Sequence, residues 1–298
     1  MTDAVLGIDF GGTKIAVGVA APTGELLAST RLDTDAGSGA AQAVERALRA
    51  GRELAPNPAA VGVCSPGIVL PDRILLAPNV PGWGDLRLAE LVTAEFGAVP
   101  VAVGTDAKAA GLAEYTWGVL GEADPAVYLS LGTGLAAAIL IGGRVLGGAN
   151  GAAGEFGYNV RDRSAPDAFA SGAAPLEEAV GGIGLGRRAT SLFGVPTSAA
   201  QLFALAQTDS RASALVDDAL DELAVHVANL AIAVDPELMA VGGGFLGAAD
   251  FVLPALRRRL AQAVPFPPKV VPAHFGADAS LRGALALALQ ALGAQPRA

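Results

Sequence analysis

The sequence predicts a duplicated α/β fold with two lobes and a ligand cleft between them. An apolar hairpin with glycine and threonine at its tip occurs twice, at residues 5–20 and 126–141. The chain of 298 residues is long enough to bury two hydrophobic cores. Any hairpin turn favours glycine, so one copy would carry little weight, whereas two matching copies favour duplication with the ligand between the halves.

The first lobe is predicted to begin with a three-stranded meander and to continue with alternating helices and strands. Its strands are expected at 5–10, 15–20, 26–32, 59–64 and 99–103, and its helices at 40–54 and 86–96. An amphipathic pattern at 280–292 predicts a final helix that packs back on this lobe. We therefore expect a smaller lobe of residues 1–105 and 280–298 and a larger lobe of residues 106–279.

The larger lobe repeats the opening hairpin and then becomes mainly helical. Its helices are expected at 107–117, 174–192, 199–207 and 212–234, and its strands at 126–131, 136–141 and 238–241. The last strand ends in Gly242, Gly243 and Gly244, before another helix. Glycines between a strand and a helix let a ligand approach the backbone and the free amides of the helix. Gly243 and Gly244 are therefore candidates for nucleotide contacts.

The composition limits the kinds of partner and site. A net charge of −9 disfavours nucleic acid or an anionic membrane as partner, since both select basic surfaces. No apolar stretch reaches about 18 residues, and the first residues lack the pattern of a secretory signal. We therefore expect a cytoplasmic protein. One cysteine and two histidines exclude an internal disulfide and predict that there is no zinc site.

The tip of the first hairpin combines groups that suit a magnesium nucleotide. It consists of Asp9, Gly11, Gly12, Thr13 and Lys14. Asp9 could hold Mg²⁺ through a bound water, the backbone amides could donate to phosphate oxygens, and Lys14 could add a positive charge. The second hairpin would supply a matching clamp through Gly132, Thr133 and Gly134. A surface turn with a capping aspartate is the alternative interpretation of the first tip.

Five segments of the chain occur together in one known family. They are GIDFGGTKIAVGV, APNVPGW, TDAKAAGLAEYTWG, LGTGLAAAILIGGRVLGGANGAAGEFGY and DPELMAVGGG. In this order they resemble the ROK family of bacterial sugar kinases and sugar-responsive repressors, and they are most similar to its glucokinases and hexokinases. The resemblance extends from Val5 to the final helix. It implies the actin-like ATPase fold, which is a duplicated, ribonuclease H-like fold of two lobes with an interlobe cleft.

The resemblance also implies roles for single residues. Asp106 matches the family's catalytic base, which accepts the proton of the attacking sugar hydroxyl. Its place between a predicted strand and a predicted helix suits that role, and a helix-capping aspartate is a compatible alternative. Gly67, Asn79 and Glu155 match positions that line the sugar pocket. Ordinary turns would also explain Gly67 and Asn79.

The chain departs from the family pattern beyond Glu155. Tyr158 stands where most kinases of the family have a histidine that contacts sugar and zinc. The cysteine-rich loop that follows in the family is missing, and Asp167 takes the place of the usual glutamate. The residue before the base is Thr105 instead of asparagine. Tyr158 and Asp167 would reshape the contacts near the anomeric carbon, so the preference among glucose, mannose, fructose and N-acetylhexosamines stays open.

The expected function is ATP-dependent phosphorylation of a free hexose, with the 6-hydroxyl of glucose as the first candidate. The family resemblance implies a homodimer, with Mg²⁺ and without zinc. Three alternatives stay open: a non-catalytic sugar-binding regulator, a pseudokinase, and a glucokinase that uses polyphosphate. A regulator of this family would have a DNA-binding segment before the first strand. The retained acids Asp9, Asp106 and Glu155 argue against a pseudokinase, and the triple glycine at Gly242 favours a donor with a nucleobase.

Overall fold

The computed structural model describes residues 4–70, 72–77, 80–163 and 167–293. The chain divides into two compact units. The first comprises Met1–Gly121, Val145–Ala153 and Asp278–Ala298, and the second comprises Glu122–Arg144 and Gly154–Ala277. Residues 106–121 therefore lie in the first unit, whereas the sequence-based boundary at residue 105 assigned them to the larger lobe.

The secondary structure follows the alternating pattern of the sequence. The strands are β1 Val5–Phe10, β2 Lys14–Ala20, β3 Leu26–Asp33, β4 Val61–Ser65, β5 Ile68–Val69, β6 Ile74–Leu75, β7 Val101–Thr105, β8 Ala126–Leu131, β9 Leu135–Ile141, β10 Arg144–Val145, β11 Leu238–Gly242 and β12 Lys269–Pro272. The α-helices are α1 Ala40–Leu54, α2 Leu88–Phe96, α3 Asp106–Trp117, α4 Pro175–Val180, α5 Gly182–Phe193, α6 Ala199–Leu205, α7 Ser210–Val234, α8 Ala249–Ala263 and α9 Ala279–Ala291. Most predicted strands and helices are confirmed to within two residues of their ends.

The first unit is built on a sheet with the strand order β3-β2-β1-β4-β7. The meander β1-β2-β3 is antiparallel, whereas β4 and β7 run parallel to β1. Alternate residues of β1 point to opposite faces of the sheet. Leu6, Ile8 and Phe10 join the core that contains α1, while Val5 joins the cluster that contains α9. The sheet is therefore covered by helices on both faces.

The final helix α9 packs on the first sheet, as its amphipathic pattern predicted. The approach is so close that a Cβ atom on Gly62 of β4 would overlap the carbonyl oxygen of Ala284. A Cβ on Gly283 would in the same way overlap the backbone of Ala109 on α3. These two glycines therefore permit β4, α9 and α3 to pack in direct backbone contact.

The second unit repeats the plan of the first around a sheet ordered β10-β9-β8-β11-β12. The hairpin β8-β9 is antiparallel, and β11 and β12 are parallel to β8. Helices α4 to α8 contribute to a large apolar core against this sheet. Although α7 has 25 residues, neither it nor any other described helix is apolar enough over a sufficient length to cross a membrane.

Two parts of the second unit differ from the sequence-based expectation. The single helix predicted at 174–192 is divided into α4 and α5 at Gly181. The backbone amide of Gly182 donates to Gly132 in the β8-β9 turn at 2.7 Å, so it is not used within a helix. The short strand β12 was not predicted, because its four residues lie among prolines that favour a loop or an edge strand.

Candidate active site

The carboxyl end of the first sheet carries two of the predicted acids. Asp9 on β1 lies opposite Cys64 on β4, and Cys64 lies opposite Gly104 on β7. Because adjacent strands are about 4.8 Å apart, roughly 10 Å separates Asp9 from Gly104. Asp106 follows directly after β7 as the first residue of α3. Both carboxylates therefore lie at the same edge of the sheet.

Asp9 is a partly buried carboxyl group with a raised pKa. Burial raises its pKa to about 7, the charge of Asp106 adds to this effect, and Arg31 opposes it. Burial, followed by the charges of Asp9 and Asp106, also raises the pKa of the Cys64 thiol. A cation close to Asp9 would favour the charged carboxylate and lower its pKa. The site therefore has excess negative charge that a metal ion could compensate.

Asp106 is accessible to solvent, and it does not cap its helix. The N-cap of α3 is Thr105, whose side-chain oxygen accepts from the amide of Lys108 at 3.3 Å. Asp106 Oδ1 instead accepts from the neighbouring Ala107 amide at 2.7 Å. The surrounding protein partly dehydrates the carboxylate and raises its pKa, whereas the Ala107 amide and Lys108 favour its charged form. The capping interpretation of Asp106 is wrong, because Thr105 occupies that position.

The tip of the first hairpin is held by a residue that sequence reasoning did not select. The Gly11 amide donates to the Lys14 carbonyl at 2.9 Å and closes the turn, so it is not available to a phosphate oxygen as predicted. Thr34, which is fully buried just after β3, donates its hydroxyl to the Gly11 carbonyl at 2.7 Å. Its backbone amide donates to Thr13 at 2.9 Å. These two bonds fix a tip whose residues 12–14 are exposed. A threonine after a strand gave no sign of this role.

A buried tryptophan joins three of the predicted motifs. Trp83 packs edge-on against Phe10, with ring centroids 5.2 Å apart, and its indole donates to Ser65 Oγ at 2.9 Å. Gly67 adopts a φ of +82°, and a Cβ there would overlap the Leu75 carbonyl oxygen. Asn79 lies outside the described residues. The loop that contains Ser65 and Gly67 is thus tied to the end of β1.

In the second unit, three glycine-bearing segments converge. The β8-β9 turn consists of Gly132, Thr133 and Gly134, and Thr133 is exposed. The turn accepts hydrogen bonds from the first two amides of α5, at Gly132 and Thr133. Gly243, with a φ of +84°, passes so close that a Cβ would overlap the Leu131 carbonyl. The predicted phosphate turn and the predicted nucleotide glycines are therefore neighbours.

Tyr158 lies among carboxylates, and one of these was not predicted. It ends the short 3-10 helix Phe156–Tyr158, for which Glu155 is the preceding residue. Burial, followed by the charges of Glu177 and Glu155, raises the pKa of Tyr158. Glu177 on α4 accepts the Leu135 amide of β9 at 2.8 Å. The sequence gave no distinct signal for Glu177, because acidic residues are common in the first turn of any helix.

Asp167 is exposed and lies in a turn that contacts this group through a neighbour. The carbonyl of Asp167 accepts from the Ser171 amide at 3.0 Å. The turn places Phe169 edge-on against Tyr158, with ring centroids 5.9 Å apart. An aromatic pair thus connects Tyr158 to the Asp167 turn, whereas Glu177 acts on Tyr158 through its charge.

The described residues fit a magnesium site better than a transition-metal cage. Among the residues that the structure describes, no group of three or more histidine, cysteine or acidic side chains is arranged to hold a metal ion. Magnesium commonly takes one or two carboxylates, several waters and substrate phosphates, so it needs few protein ligands. Asp9, with its raised pKa and its neighbour Asp106, has the chemistry of such a ligand.

Comparisons with known proteins agree with this fold and with these motifs. The model of the ROK family matches residues 5–291. The crystal structure of a ROK hexokinase from Thermus thermophilus is 32% identical, with a TM-score of 0.83 over 97% of this chain and 99% of that chain. A ROK glucokinase from Streptomyces griseus, solved in complex with glucose and AMPPNP, is 30% identical, with a TM-score of 0.77 over 96% and 99%.

A curated relative extends the range of sugars named among similar proteins. The N-acetylmannosamine kinase of Escherichia fergusonii is 30% identical over 95% of this chain and 97% of its own length. The structural neighbours confirm the predicted actin-like ATPase fold. The family model spans nearly the whole chain and includes every segment that carried the resemblance. The chain therefore belongs to the ROK family.

Proposed function

We propose that the protein transfers the γ-phosphoryl group of ATP to a hydroxyl of a free hexose, with the 6-hydroxyl of glucose as the first candidate. The observation that carries this proposal is Asp106, a solvent-accessible carboxylate that leaves helix capping to Thr105. It lies at the same sheet edge as Asp9, whose pKa it raises. Asp106 is thus available to accept a proton, and Asp9 is available to hold a metal ion.

Asp106 is the general base of the proposed mechanism. It would accept the proton of the sugar hydroxyl while that oxygen attacks the γ-phosphorus atom. Burial raises the pKa of Asp106, whereas the Ala107 amide and Lys108 oppose this rise and favour the charged form that a base requires. Asp9, whose pKa is raised to about 7, is partly protonated at neutral pH, and a nearby cation would favour its charged form.

Backbone groups would bind most of the nucleotide. Amides at Gly12 and Thr13 would donate to phosphate oxygens, while the Gly11 amide closes the turn on the Lys14 carbonyl and the Lys14 side chain adds a cation. In the second unit Thr133, Gly134, Gly243 and Gly244 would do so, while the Gly132 amide closes its own turn on the Gly134 carbonyl. Mg²⁺, when held through a water on Asp9, would neutralise phosphate charge. The acidity of the chain does not oppose nucleotide binding, because these donors are amides.

The sugar would be held by polar groups that suit a polyol. We assign Gly67, Asn79 and Glu155 to the ring hydroxyls, and Tyr158 and Asp167 to the anomeric end. The 30% identity to an N-acetylmannosamine kinase supports an N-acetylated hexose as the second candidate substrate. The cytoplasm and a homodimer are the proposed setting, with neither nucleic acid nor membrane as partner. Light scattering of the purified protein would measure the oligomer.

Release of ADP over a panel of glucose, mannose, fructose and N-acetylmannosamine tests the reaction and its substrate. Polyphosphate in place of ATP tests the donor. Asp106→Asn should retain sugar and nucleotide binding in calorimetry while kcat falls by about 10²-fold to 10⁴-fold, because the amide keeps the shape but cannot take the proton. Glu53→Gln on α1, an exposed carboxylate, is the control. An Asp106→Asn variant that keeps more than about a tenth of kcat would refute the base.

A further inference from the structure

Two residues that follow Tyr158 contact helix α7 through their side chains. We call residues 156–161 the Tyr158 turn. Asn159 Nδ2 lies 3.2 Å from His226 Nδ1, and Arg161 forms a two-pronged ion pair with Glu222, with Nη2 to Oε2 at 2.8 Å. Glu222 and His226 are four residues apart, so both lie on one face of α7. Two side-chain contacts, from Asn159 and Arg161, therefore clamp the turn to a single face of α7.

The two contacts differ in strength. The ion pair is exposed on the Arg161 side, where the side chain is 44% accessible, and exposed pairs contribute little. His226 is only 8% exposed, and burial lowers its pKa, with Arg161 acting in the same direction and Glu222 opposing it. An amide nitrogen can only donate, so the neutral imidazole accepts at Nδ1. Loss of this acceptor would leave the Asn159 amide without its partner.

Apolar packing holds the start of the turn, because Phe156 lies in the core of the second unit, whereas Val160 and Arg161 at its end are exposed. An open cavity of about 500 Å³ lies between this exposed end and helices α4 and α5. Its lining includes Arg161, Ala168, Ser171, Ala179 and Arg188. The end of the turn has few close-packed neighbours on this side, so polar contacts are the main restraint on residues 159–161. The Tyr158 ring itself packs on Phe169, which is 64% exposed.

We propose that His226 and Glu222 are positioning residues, which clamp the Tyr158 turn to α7 and so hold Tyr158 where it contacts the sugar. The contact between Tyr158 and the sugar rests on the proposed function, whereas the clamp itself does not. The clamp acts on the sugar in both the ground state and the transition state. Its loss should therefore raise the KM for hexose and leave kcat and the KM for ATP nearly unchanged.

Three variants and a matched control test the proposal in the full-length protein. His226→Leu removes the acceptor, His226→Asn returns a carbonyl oxygen near the position of Nδ1, and Arg161→Gln removes the ion pair at the surface. Asp221→Asn is the control, because Asp221 lies on α7 and pairs with Arg258 of α8 at 3.2 Å instead of with the turn. Steady-state kinetics and amide hydrogen exchange of residues 156–161 are measured for each protein.

We expect His226→Leu to raise the hexose KM about 5-fold to 20-fold, the usual effect of losing one hydrogen bond that leaves its partner unpaired. Exchange in the Tyr158 turn should accelerate, His226→Asn should restore both values, and Asp221→Asn should change neither. If His226→Leu fails to fold, Arg161→Gln should show the same pattern with a smaller, about 2-fold rise.

The outcomes separate the clamp from the proposed function. Unchanged exchange in the turn would overturn the clamp, whatever the kinetics show. Faster exchange with an unchanged hexose KM, or with an equal rise in the KM for ATP, would overturn its role in sugar positioning. If the unaltered protein phosphorylates no hexose, the proposed function and the sugar role fail together, and the exchange rates still decide whether the clamp exists.

Discussion

Replacing Asp9 by asparagine should stabilise the protein, and the gain should depend on pH. In the folded chain burial and Asp106 raise the pKa of Asp9 from 3.8 to about 7. The folded state therefore binds more protons than the unfolded state between these two values. The free energy of unfolding should fall as pH rises through this window and should then level off. Asparagine has nearly the same shape and carries no charge.

The size of the effect follows from the shift in pKa. Each unit corresponds to about 1.4 kcal/mol, so a shift of about three units costs the unaltered protein at most about 4 kcal/mol above pH 7. The gain of Asp9→Asn should be close to this limit at pH 8 and should disappear near pH 4. An imperfectly paired amide would subtract about 1 kcal/mol at every pH.

Urea unfolding between pH 4 and pH 8, without magnesium or nucleotide, measures this difference. Glu53→Gln, an exposed carboxylate on α1 in the same unit, is the matched control and should follow the unaltered protein. Asp106→Asn should move the window to lower pH, because it removes one cause of the raised pKa. If Asp9→Asn and the unaltered protein lose stability in parallel between pH 4 and pH 7, the raised pKa of Asp9 is refuted.

Three further predictions concern packing, metal and selectivity. Gly62→Ala should destabilise the protein by more than about 3 kcal/mol in thermal or urea unfolding, because the new methyl group meets the backbone of α9. Gly147→Ala is the control and should cause no such loss, because a Cβ at Gly147 meets open space. Activity should require Mg²⁺ and not zinc, so stoichiometric zinc that survives dialysis and is needed for turnover would contradict the metal assignment. Tyr158→His should change the order of preference among glucose, mannose and N-acetylmannosamine, and an unchanged order in the ADP-release panel would remove Tyr158 from selectivity.

Local patterns were enough to predict most of the fold. Continuous apolar runs defined β1 and β2, because helices cover both faces of their sheet. The period of 3.6 residues defined α1, because one face of that helix is buried. The repeated glycine hairpins predicted the duplication, and the five motifs indicated the family that the comparisons confirmed. The helix predicted at 174–192 is divided because Gly182 bonds the distant Gly132 turn, which no local pattern reports.

The candidate site, like the fold, was predicted only in part from the sequence. The sequence by itself selected Asp9, because the groups that suit a magnesium nucleotide stand next to one another in the first hairpin, and it selected Asp106 through the resemblance of its segment to the family. Only the tertiary structure decided that Thr105 caps α3, that Thr34 holds the first hairpin and that Glu177 acts on Tyr158. Capping competition, burial and the charge of a distant carboxylate depend on which residues meet in space, and that is settled by packing rather than by neighbours in the chain.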